Sequence, residues 1–158
     1  CVVRPLPRLE GAALMDAVAD ADVILDCSDN FKTRYALNRA CVALQKPLVS
    51  GAAIKLTGQF FVMDPRQAHT PSPCYACLFP SAPADGLAPS CAEAGVVGAL
   101  PGMIGAMMAG EAIKFITGAG QSLQGRLMIH DALWGENRTI AIRRDPACAV
   151  CGPAAKPV

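Results

Sequence analysis

Two Cys-x-x-Cys pairs constrain this chain more than anything else in it: Cys74 and Cys77 in "TPSPCYACLFP", Cys148 and Cys151 in "DPACAVCGP". Each pair can form a tight knuckle that presents both sulfurs to one ion, and four cysteines in a tetrahedron are what Zn²⁺ accepts in closed structural sites. Single zinc ribbons keep their pairs about 15–20 residues apart. Here the knuckles stand much further apart, so one ion would staple a mid-chain loop to the tail. The loop before Cys74 and the stretch after Asp145 hold Pro and Ala but little core. A structural zinc site contributes on the order of 10 kcal/mol toward folding. The expected metal ligands are therefore Cys74, Cys77, Cys148 and Cys151. Two redox dithiols, or two unrelated pairs, are the competing readings of the same spacing.

Eight cysteines in a secreted chain would suggest disulfides, but "CVVRPLPRLEGAAL" has no compact apolar signal-peptide core. That favours metal or catalysis over disulfides, and a cytoplasmic protein. The 158 residues, 53% hydrophobic and 17% charged, suit one domain over residues 1–158. A net charge of +1, with no basic run or stacking aromatic cluster, gives no electrostatic reason to expect nucleic acid. The one long uncharged stretch, Ala94 to Gly110, is broken by Pro101 and followed at once by Glu111 and Lys114. A deeply buried helix is expected there, not a membrane span. The first residue is Cys1 rather than Met, and the chain is expected to be a piece of something longer.

Along the chain, "DAVADADVILDCSDNF" predicts a helix end, a fully buried strand from Asp22 to Cys27, and a turn. "NFKTRYALNRACVALQK" predicts a helix with Phe31, Leu37, Cys41 and Leu44 inward and Arg34, Asn38 and Gln45 on another side. "PLVSGAA" then completes a βαβ unit, right-handed by rule. "TGQFFVMDP" predicts a strand, followed by a mobile Pro/Ser/Ala-rich loop over about residues 65–90. A helix from Pro101 to a stop at Gly118 follows. "GRLMIHDAL" and "RTIAIRRD" predict a hairpin. The fold class is α/β: the C-terminal part of a Rossmann-like open sheet, its parallel strands extended by antiparallel ones, with a four-cysteine zinc site.

Asp29 and Asn30 stand just beyond a strand's carboxyl end and at the mouth of the next helix, where ligands bind in open α/β sheets. A carboxylate there can hold Mg²⁺ beside a nucleotide phosphate, and Asn30 can hydrogen-bond the ligand. Both are also ordinary helix N-cap residues, and that reading stays open. Neither G-x-G-x-x-G nor G-x-x-x-x-G-K-[ST] occurs. If a nucleotide binds, its phosphate loop is expected upstream of Cys1.

"DVILDCSDNFKTRYALNRACVALQKPLVSGAAIKLTGQ", "PCYACLFP", "SCAEAGVVGALPGMIGAMMAGEAIK" and "DPACAVCG", taken in order, resemble the ThiF/MoeB/HesA family. These are ubiquitin-activating-enzyme-like adenylyltransferases, and the resemblance runs from about Asp22 to Gly152. It implies ATP·Mg²⁺ bound on a Rossmann-like half and adenylation of the C-terminal glycine of a ubiquitin-fold sulfur carrier, ThiS- or MoaD-like. It implies a homodimer and a structural zinc on the four paired cysteines. Asp29 and Asn30 fall on the family's nucleotide-contacting Asp-Asn. An ionised carboxylate attacking phosphorus needs no general base, only cancelled repulsion and in-line placement. Asp29 is therefore read as an anchor, not a proton acceptor. Arg34 is a candidate for organising the site or pairing with Asp29, against a solvated helix face. The family's glycine-rich loop is absent, so this chain alone is expected to adenylate nothing detectably.

Cys91 stands apart from both pairs. "SCAE" reads as a capping box, with Ser90 at N-cap and Glu93 at N3, which puts Cys91 at the first helical position. Helix N-termini lower thiol pKa values, while Glu93 works the other way. In the resembling family some members use a cysteine here for a persulfide or thioester link; an ordinary small residue is the alternative. Cys27 and Cys41 read as core, and His69 and His130 are assigned no role. The competing function is a zinc-stabilised dimeric binding module that docks a ubiquitin-like carrier without catalysis. An NAD-dependent oxidoreductase explains neither cysteine pair.

Overall fold

Side chains on a strand alternate between its two faces, and this chain uses that alternation to feed two apolar layers. The structure, a computed structural model, describes residues 1–66, 72–84 and 91–153. Helix α1 (Gly11–Asp20) leads into strand β1 (Ile24–Asp26), helix α2 (Phe31–Ala43) and strand β2 (Leu48–Ile54). β1 and β2 are parallel, with Ile24 opposite Leu48 and Asp26 opposite Ser50, so the expected βαβ unit is present. Strand β3 (Thr57–Met63), short helices α3 (Tyr75–Leu78) and α4 (Cys91–Ala94), helix α5 (Ala99–Thr117) and the hairpin β4 (Arg126–Asp131)–β5 (Glu136–Ala141) follow. The five strands lie side by side in chain order, antiparallel from β2 onward.

Adjacent residues divide between the faces. Leu48, Phe61, Met63 and Leu127 pack with Val18 of α1 and with Ala40 and Cys41 of α2. Val49, Phe60, Val62 and Met128 pack with Leu100, Ile104 and Met108 of α5. Each such buried side chain contributes about 1.5–3 kcal/mol relative to leaving it in water. α5 comes close to the sheet because Gly58 has no side chain; a Cβ there would run into Ile104. The helix ends as expected at Gly118, which takes φ 68° and turns the chain.

Four expectations are corrected. β1 is shorter than Asp22–Cys27 and lies at the sheet edge, so it is not fully buried: Leu25 is 38% exposed. Cys27 falls just past the strand and is exposed, not core. α5 is not deeply buried. It rests on one stripe, and Met103, Ile113 and Ile116 face outward. By length and composition it could cross a bilayer, yet that stripe is seated on the sheet. The fourth concerns the segment over residues 65–90, whose middle is packed. Cys74, Tyr75 and Ala76 are buried, and Tyr75 meets the rings of Tyr35, Phe61 and Phe79.

Candidate functional site: a strand-end cleft and a four-sulfur centre

A cleft of about 610 Å³ opens where β1 and β2 end, lined by Ser28, Asp29, Asn30 and Arg34, with Ile104 and Met108 of α5 opposite. Its position follows from topology, since the carboxyl ends of parallel strands leave a crevice there. Asn30 caps α2, its Oδ1 accepting the Thr33 N–H at 2.8 Å. Asp29, one residue earlier, is exposed on the cleft wall. Among the described residues it makes no ion pair with Arg34.

Arg34 pairs elsewhere. It is buried, with a guanidinium nitrogen 3.7 Å from a carboxylate oxygen of Asp26. It donates to Ser50 Oγ at 3.3 Å and to the Ser28 carbonyl. Asp26, 1% exposed, also accepts the Ser28 N–H (3.0 Å), the Ser28 hydroxyl (2.6 Å) and the Ser50 hydroxyl (2.9 Å). The pairing expected with Asp29 is therefore made with Asp26, the solvated-face alternative for Arg34 does not hold, and Arg34 and Asn38 share the buried side of α2 with Cys41. Buried charges need such partners. The network clamps the turn at residues 27–30, so Asp29 and Asn30 are presented from a fixed backbone. Sequence reasoning missed Asp26 and Ser50. The available signal was an acid closing the apolar run "VILD". At Cys27, partial desolvation pushes the thiol pKa up, and the Asp26 charge adds to that, so this exposed sulfur is poorly reactive.

The four paired cysteines meet, as expected from the knuckles. Their sulfurs all lie within 4.8 Å of one another. Cys74 and Cys77 are 4.0 Å apart, Cys74 and Cys148 3.6 Å, and Cys77 and Cys151 3.4 Å. A tetrahedron with metal–sulfur bonds of about 2.3 Å has edges of about 3.8 Å. These four cysteines are positioned to hold a metal ion, and none forms a disulfide. The Asp145 N–H points at Cys77 Sγ (3.4 Å) and the Val150 N–H at Cys148 Sγ (3.5 Å). Burial pushes the Cys77 thiol up to about 11, while hydrogen bonding from Cys74 holds Cys151 down to about 4.

Cys91 opens α4, but its side chain, like Ser90 and His69, lies outside the described residues. His130 is buried, its Nδ1 2.9 Å from Asn137 Oδ1, a satisfied interior histidine.

The ThiF family model matches residues 4–150. This chain belongs to the ThiF family. It is 46% identical over 146 residues to the sulfur carrier protein adenylyltransferase of Thermus thermophilus, covering 92% of this chain and 54% of that protein. It is 51% identical over 138 residues to the adenylyltransferase and sulfurtransferase MOCS3 of Drosophila grimshawi, covering 87% and 30%. The SAMP-activating enzyme E1 of Haloferax volcanii is 43% identical over 145 residues, covering 92% and 52%. This ThiF-family chain thus spans about half or less of the length of these relatives. Among solved structures, E. coli MccB with ATP matches 92% of this chain and 44% of that chain with a TM-score of 0.72. At 17% identity that likeness concerns the fold alone. The expected resemblance to ThiF-type proteins is borne out.

Proposed function

We propose that this ThiF-family chain is part of an enzyme that adenylates the C-terminal glycine of a ubiquitin-fold sulfur-carrier protein, of thiamine or molybdopterin type, with loss of pyrophosphate. The name of its Thermus thermophilus relative supports a sulfur carrier as the substrate, and that of its Drosophila grimshawi relative supports adenylyl transfer. One observation carries the reading for this chain: Asp29 is exposed on the cleft wall and pairs with none of the described residues, while the residues around it are locked by the Asp26–Arg34 network. A carboxylate held open at strand ends suits a Mg²⁺ ion or a nucleotide-binding role. Asn30 stands beside it as a second nucleotide contact.

In the proposed step the carrier carboxylate attacks the α-phosphorus of ATP. It is already ionised, so no side chain need remove a proton; positioning and charge cancellation do the work. Mg²⁺, when bound, supplies that cancellation. The role left to this chain is to hold Asp29 and Asn30 rigid, with Arg34 bracing them through Ser28 and Asp26. The four cysteines hold Zn²⁺ as a structural ion, since four thiolates leave no open coordination position. Cys91 is the proposed sulfur or thioester carrier. The outward apolar side of α5 is the proposed contact in a homodimer, and the cytoplasm is the proposed compartment.

Carrier-dependent ATP–pyrophosphate exchange tests the reading. The 158-residue chain by itself, which has no glycine-rich phosphate loop, is expected to give none. Joined to the amino-terminal part of the T. thermophilus relative, it is expected to support exchange, and Asp29→Ala to lower the rate about 100-fold or more, the scale of one lost transition-state contact. The second reading is a zinc-stabilised dimeric module that binds the carrier without catalysis. Tight carrier binding with no exchange in the joined protein would favour it.

A further inference from the structure

Asn38 lies at the middle of α2, 0% exposed, and is neither a cleft residue nor one of the four sulfur ligands. Both ends of its amide are engaged. Oδ1 accepts the Tyr75 N–H at 2.8 Å, and Nδ2 lies 3.6 Å from Cys74 Sγ. The orientation is forced by chemistry. A backbone N–H can only donate, so the carbonyl end must face Tyr75 and the NH₂ end must face the sulfur. A donor aimed at sulfur suits a thiolate, because it offsets part of the ligand's charge and fixes the direction of its lone pairs.

Of the other sulfur-directed donors, Asp145 and Val150 are backbone groups of the tail, and the Arg144 guanidinium, also of the tail, bonds to Cys151. Asn38 differs from these in coming from α2 rather than from the tail. On that helix Asn30, Arg34 and Asn38 follow one another at intervals of four, on successive turns. The same helix therefore caps the cleft at its start and touches the metal centre two turns later.

We infer that Asn38 is a positioning residue of the four-cysteine centre: it holds Cys74 in its ligating orientation and ties α2 to the first knuckle. The inference rests on the reading of the four cysteines as metal ligands. An asparagine that merely satisfied the Tyr75 N–H would need only its oxygen. Asn38→Asp separates the two roles, because a carboxylate of the same shape still accepts from Tyr75 but, when ionised, cannot donate to sulfur and adds a repelling charge.

The chain is loaded with Zn²⁺ at pH 8 and titrated with a chromogenic chelator, with circular dichroism checking that each variant folds. Asn38→Asp is expected to weaken Zn²⁺ binding about tenfold or more, the usual scale for losing an outer partner of a ligand. A second readout needs no variant. In the ¹¹³Cd-loaded wild type, scalar coupling across the hydrogen bond is expected between the metal and the Asn38 side-chain protons, as well as the Asp145 and Val150 amides. Asn38→Asp binding within twofold of wild type, or coupling that reaches both amides and not Asn38, overturns the assignment while leaving the metal site intact. If Asn38→Asp does not fold, the coupling decides. A wild-type chain that takes up neither Zn²⁺ nor Co²⁺ overturns the metal reading and this inference with it.

Discussion

Asp26 and Asp29 are three residues apart and have opposite circumstances. Asp26 is buried among four polar groups of Ser28, Ser50 and Arg34; Asp29 is exposed and bonds to none of the described residues. Replacing Asp26 with Ala leaves Arg34 charged and unpaired in the interior, a loss expected to cost about 3–5 kcal/mol. Asp29→Ala should change stability by no more than about 0.5 kcal/mol, as exposed substitutions generally do. Urea unfolding of the two variants checks the pair, and equal losses would contradict the geometry. The sequence made Asp29 legible because its position, after a strand and before a helix, has meaning without knowledge of contacts. Asp26, Arg34 and Asn38 were not legible in the same way. The apolar residues of α2 suggest an inner side through Phe31, Leu37, Cys41 and Leu44, yet the buried residues are Arg34, Asn38, Ala40 and Cys41. Those polar side chains turn inward because Asp26, Ser50, Tyr75 and Cys74 await them, partners remote in the chain that periodicity cannot reveal.

At the scale of elements, the two long helices are held by different means. α2 adds hydrogen bonds and an ion pair to its apolar packing, while α5 is held by shape. Leu100, Ile104 and Met108 recur every four residues and sit above Gly58 and Gly51. Ile104 is β-branched and has little rotamer freedom in a helix, so it cannot easily yield to a new methyl group. Gly58→Ala is expected to destabilise the chain by about 1–3 kcal/mol through overpacking. Ile104→Ala in the same chain should recover part of that loss, giving a coupling energy of about 0.5–3 kcal/mol in a double-mutant cycle. Strict additivity would mean that the helix does not bear on Gly58. The length of α5 was legible from Pro101 and Gly118. Its one-sided burial was not, because a run apolar all round names no preferred side.

For the whole molecule, the metal centre closes a loop that the sheet leaves open. β5 ends at Ala141, and beyond it the tail's internal hydrogen bonds are local: Cys148 N–H to Asp145, Gly152 N–H to Cys148, Ala147 N–H to the Asp145 side chain, Val150 N–H to Cys148 Sγ and the Arg144 guanidinium to the Cys151 carbonyl. Ile142 bonds the Gly125 carbonyl at the tail's start and Val150 packs on the core, and further along the sulfur cluster joins tail to body, with Cys148 against Cys74 and Cys151 against Cys77. Stripping the ion with a strong chelator should therefore act unevenly. Amide exchange is expected to accelerate in residues 143–153 and 72–79, which flank the sulfurs, while β2, β3 and β4, buried between the two apolar layers, keep most of their protection. Global stability should fall as well, because a ligand present at 100 times its dissociation constant adds about 2.7 kcal/mol to the folded state. Cys148→Ser should reproduce both effects without chelator, since three sulfurs no longer close the tetrahedron. If exchange instead rose evenly across the sheet, the ion would hold the whole fold rather than its tail, and the helix seam through Asn38 would be the path by which its loss reaches the cleft.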